Sequence, residues 1–209
     1  MSGQTGDERG MDRDNERGID RDNEHDHQRD EVVAAVRHWL TRAVIGLNLC
    51  PFAKSVHVKD QVRYVVSQAT DDADVLDELE RELRLLAEAN PEQIDTTLLV
   101  VPHALGDFLA FNDFLYFADR LLGSLRLDGT LQIASFHPQY QFEDTAPDDI
   151  ENYTNRAPYP ILHLLREDSI ARAADAFPDA ADIYERNMET LRELGHDGWL
   201  KWMAGKSDL

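Results

Sequence analysis

The chain has 209 residues, of which 42% are hydrophobic, and its formal net charge is −20. Without its polar N-terminus it keeps roughly 180 residues, the usual size of one domain. So acidic a body repels phosphate backbones and anionic headgroups, which argues against binding of nucleic acid or of a membrane surface. The longest apolar runs, such as Thr97 to Val101, are too short to cross a bilayer, and the N-terminus lacks a signal-peptide core. We therefore expect a cytoplasmic protein.

The first 29 residues contain a tandem repeat whose only apolar members are Met11 and Ile19. Such a segment buries too little surface to offset the entropy lost on ordering, so it predicts a disordered acidic tail over residues 1–29. A single α/β domain is predicted for residues 30–195, followed by a C-terminal tail over 196–209. The one cysteine, Cys50, allows no internal disulfide.

Apolar residues at helical spacing predict a first helix from Asp30 to Leu49, which Pro51 ends. The β-branched and aromatic segment Val62 to Ser67 predicts a short strand. A second helix begins at Asp71 or Asp72 as its N-cap and carries one apolar stripe.

Thr97 to Val101 reads as a buried central strand. Asp107 is predicted to cap a well-buried helix that ends at Leu122 or Leu125. A third strand is predicted from Leu131 to Ser135, and a fourth from Ile161 to Leu165.

Two further helices are predicted, from Asp168 to Phe177 and from Asp179 to Leu194, the second ended by Gly195. The order of elements predicts an α/β fold with about four strands in a mostly parallel sheet flanked by helices. A long functional loop joins strands three and four, and the direction of the fourth strand is left open.

Residues able to do chemistry concentrate between Phe136 and Arg166. Ligands of parallel sheets bind beyond the carboxyl ends of the strands, which is where His103 and His137 follow the second and third strands. His163 lies inside the fourth strand, where it is either a bonded core residue or a member of the site.

The roles follow from side-chain chemistry. His137 is the predicted general acid or base, because imidazole titrates near neutral pH, and Arg156 is predicted to hold an anionic group. Each residue also has a structural alternative. The histidines could pack in the core, the arginines could form ion pairs with surface acids, and Cys50 could be a residue of the core or its boundary. The predicted catalytic residues are His137, His163 and Cys50, and the predicted substrate-binding residues are Arg156, Asn155, Arg166, Tyr140 and His103.

No metal site and no cofactor are predicted. His103, His137 and His163 could together bind zinc, but no two of them form a His-x-His or His-x-x-x-His pair. The sequence also contains no glycine-rich nucleotide motif, no Gly-x-Ser-x-Gly and no His-Glu-x-x-His.

Several short motifs stand in one order along the chain: Asn48–Ala53, Val101–Pro102, Ser135–Phe142, Asn155–Pro160, His163 and Arg166. Together they resemble the bacterial family known as domain of unknown function 1415, over about residues 31 to 195. The resemblance implies a bacterial, cytosolic, single-domain protein with no assigned activity. It supplies no catalytic residues.

The leading hypothesis is a small-molecule enzyme that acts on a small anionic or polar metabolite, with His137 as acid or base and Arg156 as the anion-holding residue. The alternative is a non-catalytic ligand-binding module, or a protein-interaction domain, that uses the same loop. The sequence leaves open whether the protein is an enzyme at all, and its oligomeric state.

Overall fold

A computed structural model describes residues 26–175 and 182–205. The predicted N-terminal tail lies outside the described residues as far as residue 25, and residues 26–29 begin the first helix. The predicted helix ends at Phe177 and Asp179 also lie outside them.

The described chain consists of helices, four strands and one long connection. In order these are α1 (26–39, continued by a π-helix over Leu40–Ile45), α2 (Ala53–Val58), β1 (Val62–Val66), α3 (Asp72–Glu88), β2 (Thr96–Val100), α4 (Phe108–Ser124), β3 (Leu131–Phe136), a 3-10 helix (Ile150–Thr154), β4 (Ile161–Arg166), α5 (Glu167–Asp175) and α6 (Ile183–Met203). The predicted strands and the helices at Asp71 and Asp107 are confirmed to within one or two residues at most ends.

The four strands form one sheet in the order β1-β2-β4-β3. β1 and β2 are parallel, whereas β4 is antiparallel to both of its neighbours. The prediction of a mostly parallel sheet is therefore wrong, and the sheet is mixed. A parallel neighbour needs a crossover helix, and the connection from β3 to β4 contains only a 3-10 turn, so β4 returns antiparallel.

Helices cover the sheet on both faces. Leu99, Leu162 and Leu164 contact α3 and α4 on one face, and Leu98 and Ile161 contact α1 and α6 on the other. Every residue of β2 is buried. The architecture is thus three layers with two separate apolar cores, and β2 and β4 belong to both.

Two aspartates begin helices as the sequence predicts. The Asp71 carboxylate accepts from the backbone N–H of Asp74 at 3.0 Å, and the Asp107 carboxylate accepts from that of Ala110 at 2.9 Å. Each bond satisfies an N–H group that has no partner inside the helix.

The last turn of α6 docks on α1 and its π-helical continuation. Gly195 interrupts α6 with φ 62°, but the helix resumes and reaches Met203, so it includes residues that the sequence analysis placed in a tail. The Trp202 indole donates to the Arg42 carbonyl at 2.6 Å, and the Arg42 guanidinium donates to the Trp202 carbonyl and stacks 4.7 Å from its ring. The His38 ring bonds the Met203 carbonyl at 2.8 Å.

Gly46 follows the π-helix at a position where a side chain does not fit. A Cβ atom at this position would lie 2.3 Å from the Arg42 carbonyl oxygen. Gly46→Ala should therefore displace the backbone and lower the free energy of unfolding by about 1–3 kcal/mol in urea denaturation. Gly106→Ala is the matched control, because nothing lies within 4 Å of a Cβ at Gly106. Equal stability of the two variants would contradict this account.

Candidate functional site

The loop between β3 and β4 is organised around the buried side chain of Asn152. Its Oδ1 accepts from the Phe142 N–H at 3.0 Å and from the Thr145 hydroxyl at 2.9 Å, and its Nδ2 donates to the Ala146 carbonyl at 2.8 Å. Sequence reasoning missed this residue, because an asparagine in an acidic loop is typical of a solvent-exposed position. The only available signal was its position between two residues with large apolar side chains, Ile150 and Tyr153.

His137 is fully buried, and both of its ring nitrogens are bonded to backbone. Nε2 donates to the Leu105 carbonyl at 3.1 Å and Nδ1 accepts from the Gln139 N–H at 3.0 Å, a pairing that requires the Nε2-protonated neutral ring. The ring packs against Phe108 and Phe111 at centroid distances of 5.3 and 5.1 Å. Burial lowers the pKa of His137. The ring connects two loops, and a group held in this way does not suit proton transfer to a substrate.

His163 lies on the other face of the sheet, paired in register with Leu98. Its Nε2 lies 2.7 Å from the Thr96 hydroxyl, which donates its own proton to the Leu164 carbonyl at 2.6 Å. The hydroxyl must therefore accept from His163, which fixes the proton on Nε2. Burial lowers the pKa of His163 to about 4.

Arg156 contacts backbone and an aromatic ring of its own loop. Its Nε donates to the Tyr140 carbonyl at 3.2 Å, a second guanidinium nitrogen donates to the Pro147 carbonyl, and the guanidinium carbon lies 4.6 Å from the Tyr153 ring centroid. The Arg156 carbonyl accepts from the Trp39 indole at 2.8 Å. Arg156 thus connects separate parts of the loop to one another and connects the loop to α1.

Arg166 caps the C-terminus of α3 from the end of β4. Its guanidinium donates to the carbonyls of Leu86, Ala89 and Ile94, the last two at 2.7 and 3.2 Å. The last carbonyls of a helix lack partners inside it and carry partial negative charge, which explains a buried cation at this place. Burial lowers the pKa of Arg166.

The remaining predicted site residues lie apart from one another. Cys50 is in the turn between α1 and α2, packed on the α1/α6 core, and burial raises the pKa of its thiol. Tyr140 packs on Phe108 and Phe142 at 5.3 and 5.0 Å, and His103 is exposed on the β2–α4 connection.

Part of the predicted set is brought together in the loop. The Asn155 carbonyl accepts from the His137 N–H at 3.2 Å, and its Nδ2 donates to the Ser135 carbonyl at 3.3 Å. Arg156 joins this group through Tyr140. His163 is separated from His137 by the sheet, and Arg166 is bonded to α3, so the predicted acid–base and anion-holding side chains do not converge on one cavity.

A groove that sequence reasoning missed lies between α1 and the amino ends of β1 and β2. Its volume is about 400 Å³, and its lining residues are Arg29, Asp30, Val33, Arg37, Asp60, Val62, Arg63, Tyr64, Gln93 and Ile94. No motif marks these residues, because they come from three separate segments. The only signal was an arginine, Arg37, one residue after Val36 on an amphipathic helix.

Tyr64 and Arg37 are the distinctive residues of this groove. The Arg37 guanidinium carbon lies 4.4 Å from the centroid of the Tyr64 ring. The Tyr64 hydroxyl oxygen is buried and has no hydrogen-bond partner among the described residues, and burial raises its pKa. Within the same residues Arg37 forms no ion pair, whereas Arg63 bonds the Glu82 carboxylate at 2.7 and 3.0 Å.

The family model described as "Protein of unknown function (DUF1415)" matches residues 31–201. The chain belongs to the DUF1415 family. Comparison with curated proteins gives no match, and neither does comparison with solved structures. The matched range contains all four strands, so both the loop and most of the groove are parts of the DUF1415 domain.

The described residues of this DUF1415 protein contain neither a membrane-spanning helix nor a cluster of metal ligands. None of its described helices has the length and apolarity needed to cross a membrane. Within residues 26–175 and 182–205, no three His, Cys, Asp or Glu side chains are grouped as metal ligands would be.

The depressed pKa of His163, about 4, predicts a pH dependence of stability. The unfolded chain takes up the proton near the ordinary pKa of about 6.5 and the folded chain only near 4, so the free energy of unfolding falls as pH drops through this window. The loss should reach about 3 kcal/mol.

Urea denaturation of wild type and His163→Gln at several pH values tests this prediction. The amide does not titrate but can still donate to Thr96, so the difference in stability between the two proteins isolates the imidazole. A difference that does not change between pH 7 and pH 4 would contradict the assignment.

Proposed function

We propose that this DUF1415 protein is a non-catalytic binding domain for a small anionic or polar metabolite, which it holds in the groove between α1 and β1. The observation that carries the proposal is the buried Tyr64 hydroxyl, which has no partner among the described residues and lies beneath a guanidinium that forms no ion pair with them. Buried polar groups in proteins are nearly always hydrogen-bonded, which supports a ligand as the partner of this hydroxyl.

Arg37 provides the charge for such a ligand. The stacked Tyr64 ring limits the positions of the guanidinium, and its N–H groups remain available to a carboxylate or phosphate in the fixed geometry of a fork. Among the described residues Arg37 has no ion-pair partner, so its positive charge is available to an anionic ligand. A ligand that accepts from both Arg37 and the Tyr64 hydroxyl would satisfy both groups.

The size and the chemistry of the groove favour a small ligand. About 400 Å³ is within the usual range for sites that bind small molecules. Its lining residues include Asp30, Asp60 and Tyr64, which are able to transfer protons, and none of the described lining residues is a histidine, cysteine or serine. The groove is thus suited to a small polar or anionic ligand, and binding is the function that we propose for it.

An acid–base enzyme centred on His137 has less support. Its ring would have to break two backbone hydrogen bonds before it could exchange a proton with a substrate. Arg156, the predicted anion-holding residue, already donates to two carbonyl groups.

Thermal shift with inorganic phosphate and a panel of mono- and dicarboxylates tests the proposal. A compound that raises the Tm of wild type should lose at least tenfold in affinity on Arg37→Ala and on Tyr64→Phe. Arg84→Ala is the matched control, since Arg84 lies on α3 and pairs only with Glu80 at 2.7 Å. It should bind like wild type.

Tyr64→Phe separates binding from folding. It removes a hydroxyl that has no partner in the described part of the chain, so the free energy of unfolding without ligand should stay the same or rise by up to about 1 kcal/mol. A compound that stabilises Arg37→Ala and Tyr64→Phe as much as wild type would place the ligand elsewhere.

A further inference from the structure

Helix α4 has two apolar faces, and only one of them is covered. Phe111, Phe114 and Ala118 are buried against the sheet. On the opposite side Leu109, Tyr116 and Phe117 are 72%, 59% and 54% exposed. Three large apolar side chains, each more than half exposed on one helix, are typical of an interaction surface rather than of scattered surface residues.

The exposed side has the spacing of a helix-packing stripe. Leu109, Asp113, Tyr116 and Arg120 follow one another at intervals of four, three and four residues, which places them on one line along the helix, with Phe117 at its edge. This set of five residues is the α4 stripe. All five are exposed, and none belongs to the groove beneath Arg37.

The aromatic centre of the α4 stripe is already ordered. The Tyr116 and Phe117 rings meet edge to face at a centroid distance of 5.6 Å. Arg120 donates to the Tyr116 hydroxyl at 3.2 Å, and its guanidinium carbon lies 5.7 Å from that ring centroid. Side chains held in this way lose less rotamer freedom when a partner covers them.

The charges of the α4 stripe are complementary to themselves. A two-fold axis between Tyr116 and Phe117 would set two copies of α4 antiparallel, with Asp113 of each copy opposite Arg120 of the other. It would also bring the two aromatic centres into contact. An interface of this kind joins the same patch on both subunits. In a chain with 41 acidic and 21 basic residues, most patches that met their own copy would place acid against acid.

We propose that this protein forms a two-fold symmetric homodimer through the α4 stripe, with Asp113 of each copy paired with Arg120 of the other around an aromatic centre of Tyr116 and Phe117. The proposal is independent of the proposed ligand groove.

Sedimentation velocity of the full chain over a range of concentrations tests the dimer. Wild type should sediment as a dimer, and Tyr116→Glu should be a folded monomer by circular dichroism. Asp113→Arg and Arg120→Asp should each raise the dissociation constant at least tenfold, because each places like charges together at two symmetry-related positions. The double variant Asp113→Arg with Arg120→Asp should restore the dimer.

The controls separate pairing from net charge. The two single variants change the net charge in opposite directions, so a general effect of charge would strengthen one dimer and weaken the other. Glu92→Arg makes the same charge change as Asp113→Arg at an exposed position outside α4, and it should leave the dimer intact. A monomeric wild type, a dimer that survives Tyr116→Glu, or a double variant that stays monomeric would each overturn the proposal.

Discussion

The position of β4 between β2 and β3 is the constraint on which the rest of this structure depends. It makes two strands central, buries them on both faces and creates the two apolar cores. A polar side chain on such a strand cannot reach water easily and needs a partner inside the protein. His163 forms a hydrogen bond with Thr96 on the neighbouring strand, and Arg166 donates to carbonyl groups at the end of α3. The chain also needs a long connection to run from the edge strand β3 back to the central strand β4. The side chains of His137, Asn152 and Arg156 hold this connection in place.

The central position of β4 also explains why the groove does not lie at the carboxyl ends of the strands. Parallel sheets bind ligands at their carboxyl ends because a crevice opens where the strand order reverses. Here β4 occupies the position between β2 and β3, and its loop bonds to both strand ends: Val101 donates to Pro160 and His137 donates to Asn155. The crevice is closed there. The groove lies instead at the amino ends of β1 and β2, where α1 passes over the sheet.

Local signals predicted the elements well, and they could not predict the arrangement. The caps at Asp71 and Asp107 and the buried face of α3 follow from interactions within a few residues, which a sequence displays directly. Strand order depends on which edges meet, and the missing crossover helix after β3 was the only local sign of an antiparallel return. The candidate site was harder still. A sequence does not distinguish a histidine or arginine that bonds backbone carbonyls from one that binds a ligand. The contact between Arg37 and Tyr64 also joins residues from separate elements, so no local pattern predicts it.

The contact between Arg42 and Trp202 also bears on how the chain acquires its structure during synthesis. α1 is among the first parts of the domain to be made, yet it contacts the last turn of α6 through both backbone and side chain. Domains fold as units as the chain emerges from the ribosome, and long-range contacts must wait for both partners. The core beneath α3 and α4 can close once β4 is complete, whereas the core beneath α1 lacks its α6 contacts until about residue 203 has been added. Until α6 has been made, the nascent protein therefore presents an incomplete apolar face, and the core beneath α1 is completed after the core beneath α3 and α4.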